Sequence, residues 1–528
     1  MLCVVLALPL AASALMPGAD EKWRFFRSPH FELYSRNSEG DSRLLLHNLE
    51  LVHAIFFRTF GFTPVRAVPV TVYFFSRDKY FEAYKPETYR KVDNLAAFYD
   101  AEWDRGILTV APLPDYESAQ RLAFGSYTYH LLRLLDEPAP LWYTYGLSEL
   151  FSNLVINFDD FELGKANEQQ VRRLLLATLI PVQVMFGADE KSTAFRANQE
   201  NNLFHDESWA MVHYLYFGKN KLPPKAVSEF VGFALQNTRK FDADAVRRKF
   251  QDTLGLSYER MNGDLDRYFQ AGHYGWQKLP LPSVDPAKGY EMRKVPLEEI
   301  NLRLAEVALE INRSPQGKLI LLQALDRAPG EAARINEVIG ADAVKDGDWD
   351  VAVDRWKRAL AAGSTNPAVL HELCQLESQR RFRQFDLYYR LPDDTADELR
   401  GLLKKAIAAE PLQASTYELL AWVEATAATP KIPNVNLVQA NFPHLLQKDR
   451  TMLALALVRL HLDDKAGAAE ILDALDKSVA SDWVRYGAEL TRARIEDRPV
   501  DRGKLPAPRS DGESATSSRP PDIIKPQE

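Results

Sequence analysis

Residues 122–151 read LAFGSYTYHLLRLLDEPAPLWYTYGLSELF and decide how the first half of the chain is interpreted. Apolar residues recur at helical spacing, and the pattern predicts one helix over 116–136 and a second over 140–156. The segment between them contains Pro138, and Pro140 begins the second helix, which predicts a short turn. Polar and aromatic residues interrupt both helices, so this pair contains the first candidates for a functional site.

The chain before this helix pair alternates strand-like and helix-like segments. Strands are predicted at 30–36 (HFELYSR), where apolar and polar residues alternate, and at 68–76 (VPVTVYFFS), which is β-branched and aromatic. Residues 41–59 predict an amphipathic helix, and residues 96–112 predict a β-hairpin. Strands that lead into helices predict an α+β domain. Further helices are predicted at 205–218, 224–238, 242–254 and 257–271.

Length and composition bound the class of protein. The chain has 528 residues, which suggests about three domains. With 46% hydrophobic and 26% charged residues, it is a folded protein rather than a collagen, a coiled coil or a disordered chain. The net charge of −8 argues against a nucleic-acid partner. Two cysteines, Cys3 and Cys374, exclude a disulfide framework.

Both ends of the chain are predicted to lie outside the folded domains. Residues 1–14 are apolar and end in the small-x-small pattern Ala12-Ser13-Ala14, which predicts a cleaved signal peptide and export to the periplasm. No Lys or Arg precedes this stretch, so an uncleaved anchor, a start codon placed too late and a buried N-terminal helix stay open. Residues 497–528 are polar and rich in proline, which predicts a disordered tail. No later apolar run predicts a membrane span.

The second half of the chain is predicted to be helical. A Pro-containing linker at 279–296 predicts a domain boundary, and helical patterns fill residues 297–496. Residues 341–360, ADAVKDGDWDVAVDRWKRAL, match the second-helix region of a tetratricopeptide repeat. A glycine fits the turn, small alanines allow close helix crossing, and tryptophans fill the gaps between helices. The matching positions are Gly347, Trp349, Ala352, Trp356 and Ala359.

Two weaker copies of this repeat follow. Residues 402–411 carry Ala406 and the repeat-closing Pro411, and a third copy is predicted at 452–475. Ala406 lies 47 residues after Ala359, against about 34 in a regular array. The repeats are therefore irregular, and a generic α-solenoid or helical bundle is the alternative. A repeat array would offer a concave surface to a protein or peptide partner.

The first half of the chain resembles the peptidase-MA-like, gluzincin-type domains of bacterial proteins, which are often followed by tetratricopeptide repeats. That family has a helix with H-E-x-x-H, a short loop, and a motif like P-x-W-x-x-E-G-L-A-E. The resemblance covers residues 23–275 and includes VPVTVYFFSRDKYF (68–81) upstream and ESWAMVHYLYFG (207–218) downstream. It implies a zincin-like α+β domain over 22–278.

The chemical positions of that family are mostly replaced here. In the family, two His and a Glu from the next helix bind zinc, and the Glu of H-E-x-x-H acts as general base. The chain reads SYTYH, so Ser126 stands for the first His, Tyr127 for the general base, and His130 for the second His. Tyr145 stands where the third ligand is expected. The scaffold of the second motif is kept at Trp142, Gly146, Leu147 and Glu149.

These replacements predict a pseudo-peptidase that has lost zinc and hydrolytic activity. A serine hydroxyl is a poor zinc ligand, and a tyrosine with a pKa of about 10 cannot replace a carboxylate base at neutral pH. The bulk of Tyr127 and Tyr145 is expected to fill the space of metal and water. We expect no cofactor and no metal, and a protein or peptide partner bound in the cell envelope.

Several alternatives stay open. An active hydrolase could use a rearranged site around His130 and Glu149, although a structural role for Glu149 is the simpler interpretation. A purely structural envelope scaffold is a third possibility. The strand near 106–112 resembles the edge that aligns substrates in zincins. Four ionisable residues of one predicted helix could supply new metal ligands: His205, Asp206, Glu207 and His213. The alternative interpretation is that the start of this helix is solvated and that His213 is packed.

Overall fold

The structure is a computed structural model that divides into two compact units after Ile320. The N-terminal unit mixes helices with a six-stranded sheet, and the C-terminal unit is largely helical, in the order that the sequence predicts. The predicted signal peptide and most of the predicted tail lie outside the described residues. Those residues are 16–18, 21–62, 68–87, 95–112, 116–135, 139–197, 203–218, 222–238, 241–284, 290–381, 390–477 and 482–500.

Two sheets lie in the N-terminal unit. Their strands are β1 (Trp23–Arg27), β2 (Phe31–Ser35), β3 (Val70–Phe74), β4 (Ala97–Ala101), β5 (Gly106–Val110), β6 (Val155–Ile156), β7 (Asp160–Leu163), β8 (Gln277–Pro280) and β9 (Glu291–Val295). The large sheet has the order β4-β5-β3-β2-β1-β9, and the small sheet has the order β6-β7-β8. In the large sheet β2, β3 and β5 are parallel, and the other pairs are antiparallel.

Helices account for most of the rest of this unit. They are α1 (Glu39–Phe60), α2 (Asp78–Phe81), α3 (Tyr116–Arg133), α4 (Leu141–Ser152), α5 (Glu168–Leu176), α6 (Val182–Phe186), α7 (Thr193–Ala197), α8 (Leu203–Phe217), α9 (Pro224–Gln236), α10 (Ala243–Leu254), α11 (Tyr258–Gln270) and α12 (Leu297–Asn312). The strands and helices predicted from the sequence are confirmed to within a few residues. None of the described helices is long and apolar enough to cross a membrane.

Side chains alternate between the two faces of the large sheet along each strand, and both faces carry buried apolar residues. On β3, Val72 and Phe74 belong to the core that α1 and α3 cover. Tyr73 points to the opposite face, where Ile300 and Leu304 of α12 pack. The sheet therefore lies between two helical layers, and the α3 layer contains the candidate site residues.

The structure differs from the predicted linker at 279–296. The last part of that segment is β9, which pairs with β1 along its whole length. Helix α12, which the sequence assigned to the repeat domain, packs under the sheet instead. The residues of β9, EMRKV, are mostly polar and give no strand signal in the sequence. Its partner β1 lies at the other end of the unit, so no local pattern shows the pairing.

A buried ion cluster joins α12 to the turn between β4 and β5. The Arg105 Nη2 atom lies 3.1 Å from Glu306 Oε2 and 2.7 Å from Glu310 Oε2. Arg303 pairs with the other oxygen of Glu306. Burial raises the pKa of the Glu310 carboxyl, and Arg105 opposes that shift. The cluster fixes α12 against the sheet at a point where little water reaches the charges.

The C-terminal unit is a succession of helices that pack against their neighbours in sequence. α14 packs on α15, α16 on α17, α18 on α19, and α20 on α21. The helices from the unit boundary onward are α13 (Pro315–Ala324), α14 (Ala332–Asp346), α15 (Trp349–Ala361), α16 (Pro367–Arg381), α17 (Asp393–Ala409), α18 (Ala414–Thr426), α19 (Ile432–Asn441), α20 (Lys448–His461), α21 (Lys465–Asp476) and α22 (Asp482–Ile495).

The residues singled out for repeat packing lie at the contacts and turns of these helices. Gly347 ends α14 with a φ of +78°, a conformation that favours glycine. Trp349 begins α15 and is half-buried. Pro411 lies in the turn after α17, where its carbonyl accepts a hydrogen bond from the Tyr417 hydroxyl at 2.9 Å. The remaining predicted packing residues are fully buried: Ala352, Trp356, Ala359 and Ala406.

Candidate functional site

Helix α4 packs against both α3 and α8, and these three helices carry all the predicted site residues. Gly146 allows the close approach of α4 to α8. A Cβ atom at this position would lie only 2.4 Å from the carbonyl oxygen of Ser208 and 2.4 Å from the Val212 side chain. The glycine of the second motif therefore has a packing role here, whatever chemistry the site performs.

Tyr127, at the position of the general base, points into the core of the unit. Its hydroxyl forms a 2.8 Å hydrogen bond with Nδ1 of His53 on α1. Burial raises the pKa of Tyr127 well above its ordinary value, so the phenol keeps its proton at neutral pH. Burial also lowers the pKa of His53 to about 4, with a further contribution from His30. A phenol that keeps its proton cannot accept one from water, so Tyr127 does not replace a carboxylate base.

A second pair of side chains, His30 and Glu50, lies next to His53. Its ring stacks on that of His30, with the centroids 3.7 Å apart. His30 Nδ1 lies 2.7 Å from Glu50 Oε2, and the His30 amide donates to the same carboxylate at 3.0 Å. Burial acts to raise the pKa of Glu50, but the hydrogen bonds from His30 and Ser28 outweigh it and leave a lowered pKa. Glu50 is therefore an ionised carboxylate that holds His30 in place.

His130, the retained histidine, is 2% exposed and faces β4. Its Nδ1 atom lies 2.5 Å from the Tyr99 hydroxyl. Its ring also stacks loosely with Tyr127, with the centroids 5.8 Å apart. Gly106 provides the space for this arrangement, because a Cβ there would lie 2.7 Å from the Tyr99 ring. One imidazole nitrogen of His130 is thus already engaged by a phenol.

Tyr145, at the position of the third ligand, joins a further series of rings. Its ring contacts Tyr129 at 5.8 Å and stacks on His205 at 4.0 Å. Phe195 closes the other side of the Tyr145 ring at 5.6 Å. Tyr129 in turn contacts Tyr99 at 6.4 Å, so aromatic rings connect the retained histidine to α8 without a break.

The zinc that the resemblance implies does not fit these residues. The available donors are one imidazole, His130, and phenols, while Ser126 offers a half-buried hydroxyl. The Tyr127 phenol is protonated and faces His53, and the Tyr145 ring is stacked. Throughout the described residues, no group of three or more His, Cys, Asp or Glu side chains could hold a metal ion. The structure gives no support to a step through zinc.

Glu149 contacts residues of α5 and α8, and 31% of its side chain is exposed. Gln170 Nε2 donates to its Oε2 at 3.4 Å, and His205 Nδ1 lies 3.9 Å from its Oε1. Burial, with a smaller contribution from Asp206, raises its pKa to about 7. The imidazole that faces Glu149 is therefore His205, whereas the sequence paired Glu149 with His130.

The start of α8 is buried, which corrects the prediction that it is solvated. Asp206 is 1% exposed and accepts two hydrogen bonds from Arg173, at 2.6 and 2.8 Å. Glu207 is 4% exposed and accepts the Ile180 amide. His213 is packed as expected, with Nε2 2.6 Å from the Gly164 carbonyl oxygen. Each group has its own partner, so these residues do not converge on one ligand.

The strand expected to form an open edge is an interior strand. β5 pairs with β3 on one side and with β4 on the other, so residues 106–110 have no free edge. In the described part of the chain the edge of the sheet at this end is β4. After the hairpin turn at Arg105, β5 therefore lies in the interior of the described sheet and β4 lies at its edge.

Sequence reasoning missed Tyr99, His53, His30 and Glu50 as parts of this region. The pairs they form are long-range, and a single chain gives no pattern that shows them. One signal was present, because Glu50 and His53 interrupt the apolar stripe of α1. A buried charged residue in such a stripe needs a hydrogen-bonding partner, and His30 supplies it.

Comparison with known proteins adds no relative to this picture. No protein-family model matches the chain, and no curated protein matches it either. The peptidase-MA-like resemblance therefore rests on the sequence patterns of residues 23–275 alone.

Proposed function

We propose that this protein is an exported pseudo-peptidase that binds extended peptide segments and acts as a scaffold in the cell envelope. The observation that carries the proposal is that β4 is the edge strand of the large sheet among the described residues, next to a zincin-like position where phenols replace the catalytic groups. A free edge can add a peptide as a further strand through main-chain hydrogen bonds. Export is supported only by the apolar residues 1–14.

The pairing of β4 indicates which backbone groups a peptide would meet. The Ala96 carbonyl accepts from the Ala111 amide at 2.7 Å, and the Glu102 amide donates to the Arg105 carbonyl at 2.9 Å. In an antiparallel pair these bonds involve every second residue. The backbone groups of Ala97, Tyr99 and Ala101 therefore point away from β5, and Tyr99 also contacts His130.

The C-terminal unit supports a role in binding through a second kind of surface. Its helices pack pairwise along the sequence, and the predicted repeat residues lie at the helix contacts and turns. We propose that these helices form irregular tetratricopeptide-like repeats. Stacked helix pairs of this kind present extended surfaces to protein or peptide partners.

We expect Ala101→Pro to weaken peptide binding about three- to tenfold. Proline removes one outward N–H at an exposed residue of an edge strand, where it leaves the β4–β5 bonds intact. Ala101→Val is the matched control, because it keeps the N–H and favours a strand. The measurement is fluorescence polarisation with labelled random peptides of about ten residues.

Two outcomes would count against this proposal. If wild-type protein binds no peptide from the pool, the strand-addition function is wrong. If Ala101→Pro and Ala101→Val bind the peptides equally well, binding takes place elsewhere, and the repeat helices become the site to test.

A second candidate function is a metal-independent hydrolase, which the pairing of Glu149 with His205 favours. A carboxyl with a pKa of about 7 can both donate and accept a proton at neutral pH, and His205 faces it. Casein hydrolysis that Glu149→Gln abolishes and a chelator leaves intact would place this candidate first. Hydrolysis that disappears in His130→Ala would instead assign the activity to the retained histidine.

A further inference from the structure

A small cavity lies between α8, α11 and the loop that precedes α6. Its volume is about 210 Å³. Two of the lining residues are polar, Glu207 and Asn262. The other six are apolar: Leu179, Ile180, Pro181, Ala210, Leu265 and Phe269. Cavities of about 150 Å³ already hold a benzene molecule, so this one has room for a small organic ligand.

Glu207 gives this apolar cavity its chemical character. The side chain is 96% buried, and both carboxyl oxygens accept the Ile180 amide, at 2.8 and 2.9 Å. Asn262 uses its side-chain oxygen to hold the Val182 amide at 2.9 Å. Among the described residues that line the cavity there is no Lys, Arg or His to balance the carboxylate. Burial and the nearby Asp206 raise the pKa of Glu207 to about 8, although the Ile180 amide opposes the shift.

Among the described charged groups next to the cavity, Glu207 is the one with no opposite charge beside it. On α8 the neighbouring Asp206 is matched by Arg173 of α5 through two hydrogen bonds. The loop contributes Leu179, Ile180 and Pro181, and α11 contributes an amide and two apolar side chains, none of which ionises. When Glu207 is ionised, the cavity therefore carries one negative charge with apolar walls.

We propose that this cavity binds a small organic ammonium ion, with the ammonium group on the Glu207 carboxylate and the hydrocarbon part against the apolar walls. A ligand of this class has a positive charge that pairs with the carboxylate and an apolar surface that packs against the walls. Charge-assisted hydrogen bonds are about twice as strong as neutral ones, so a carboxylate discriminates between an ammonium and its neutral isostere. This site is independent of the β4 edge and of the proposed function.

The test uses the full-length protein with n-butylammonium chloride as the probe and 1-butanol as its neutral isostere. Binding is measured by titration calorimetry or by saturation-transfer NMR at about pH 8. We expect Glu207→Gln to weaken butylammonium binding about tenfold or more while butanol binding is kept. Glu190→Gln is the matched control, because it removes an equal charge from an exposed residue outside this cavity.

The pH dependence gives a second readout that a structural role for Glu207 would not produce. A proton competes with the ammonium for the carboxylate, and the amine itself stays charged because alkylamines titrate near lysine. With a Glu207 pKa of about 8, the affinity for butylammonium should rise about 50-fold from pH 6 to pH 8 and then level off. The affinity for butanol should not change over this range.

A third variant keeps the test decisive if Glu207→Gln folds poorly. Ala210→Leu fills the cavity and leaves the carboxylate in place, so it should abolish binding of both probes. The proposal is overturned if butylammonium does not bind wild-type protein, if butanol binds as tightly at about pH 8, or if butylammonium affinity is independent of pH. It is also overturned if Glu207→Gln and Glu190→Gln bind butylammonium alike.

Discussion

Replacing Arg105 with alanine is expected to lower the free energy of unfolding of the N-terminal unit by about 3–5 kcal/mol. The guanidinium contacts both Glu306 and Glu310, and the three side chains are at most 10% exposed. Removing it takes this cation from the buried Glu310, while Glu306 keeps its ion pair with Arg303. The measurement is denaturant unfolding of the full chain, with hydrogen exchange of peptides from β1 and α12 to identify the unit that opens.

The pH dependence of this loss follows from the carboxyl group of Glu310. Burial raises the pKa of Glu310, and Arg105 lowers it, so the variant takes up a proton in its folded state more readily than the wild type. A protonated carboxyl needs no counter-charge, and the penalty of Arg105→Ala should therefore shrink as the pH falls. Arg27→Ala is the control, because its ion pair with Glu32 is exposed and should contribute only about 0–1 kcal/mol. Equal effects of the two variants would show that the cluster does not hold α12.

Replacing Trp356 with alanine is expected to destabilise the C-terminal unit by about 3–5 kcal/mol. The ring is 1% exposed, and its Nε1 donates to the Glu337 carbonyl at 3.1 Å. It packs against Gly340, where an added Cβ would lie 2.5 Å from the ring. The variant therefore loses apolar burial, leaves a cavity between α14 and α15, and removes a hydrogen bond. Hydrogen exchange of peptides from residues 332–361 localises the effect.

Trp349 provides the matched control in the same helix. It is a tryptophan of the same predicted repeat, but it is half-buried and lies at the first position of α15. Trp349→Ala should therefore destabilise the unit less than Trp356→Ala. Similar losses in the two variants would contradict the packing described for α14 and α15.

Local patterns were enough to predict most helices and strands. The apolar stripe of α1 and the glycine that follows it predicted that helix and its end, and Gly61 does adopt a φ of +65°. The β-branched run at 68–76 predicted β3, and the turn before Gly106 predicted the β4–β5 hairpin. Each of these signals lies within the element that it predicts, so a single sequence contains it.

Long-range partners were the part that the sequence did not reveal. The pairing of β9 with β1, and so the place of α12, depends on residues at opposite ends of the N-terminal unit. In the candidate site, Tyr127 meets His53, 74 positions away, and Tyr99 meets His130, 31 positions away. The sequence resemblance assigns Tyr127 to the position of the general base, but only the packing shows that its side chain turns toward α1.

The most direct test of the pseudo-peptidase interpretation is the zinc content of the purified full-length protein. The protein is dialysed against zinc, freed of excess metal, and analysed by elemental mass spectrometry. A stoichiometry near zero is expected, because the proposed resemblance assigns Ser126, Tyr127 and Tyr145 to the positions of the ligands and the base, and Tyr99 engages His130. A stoichiometry near one, lost in His130→Ala, would contradict the interpretation and make an active metallohydrolase the leading function.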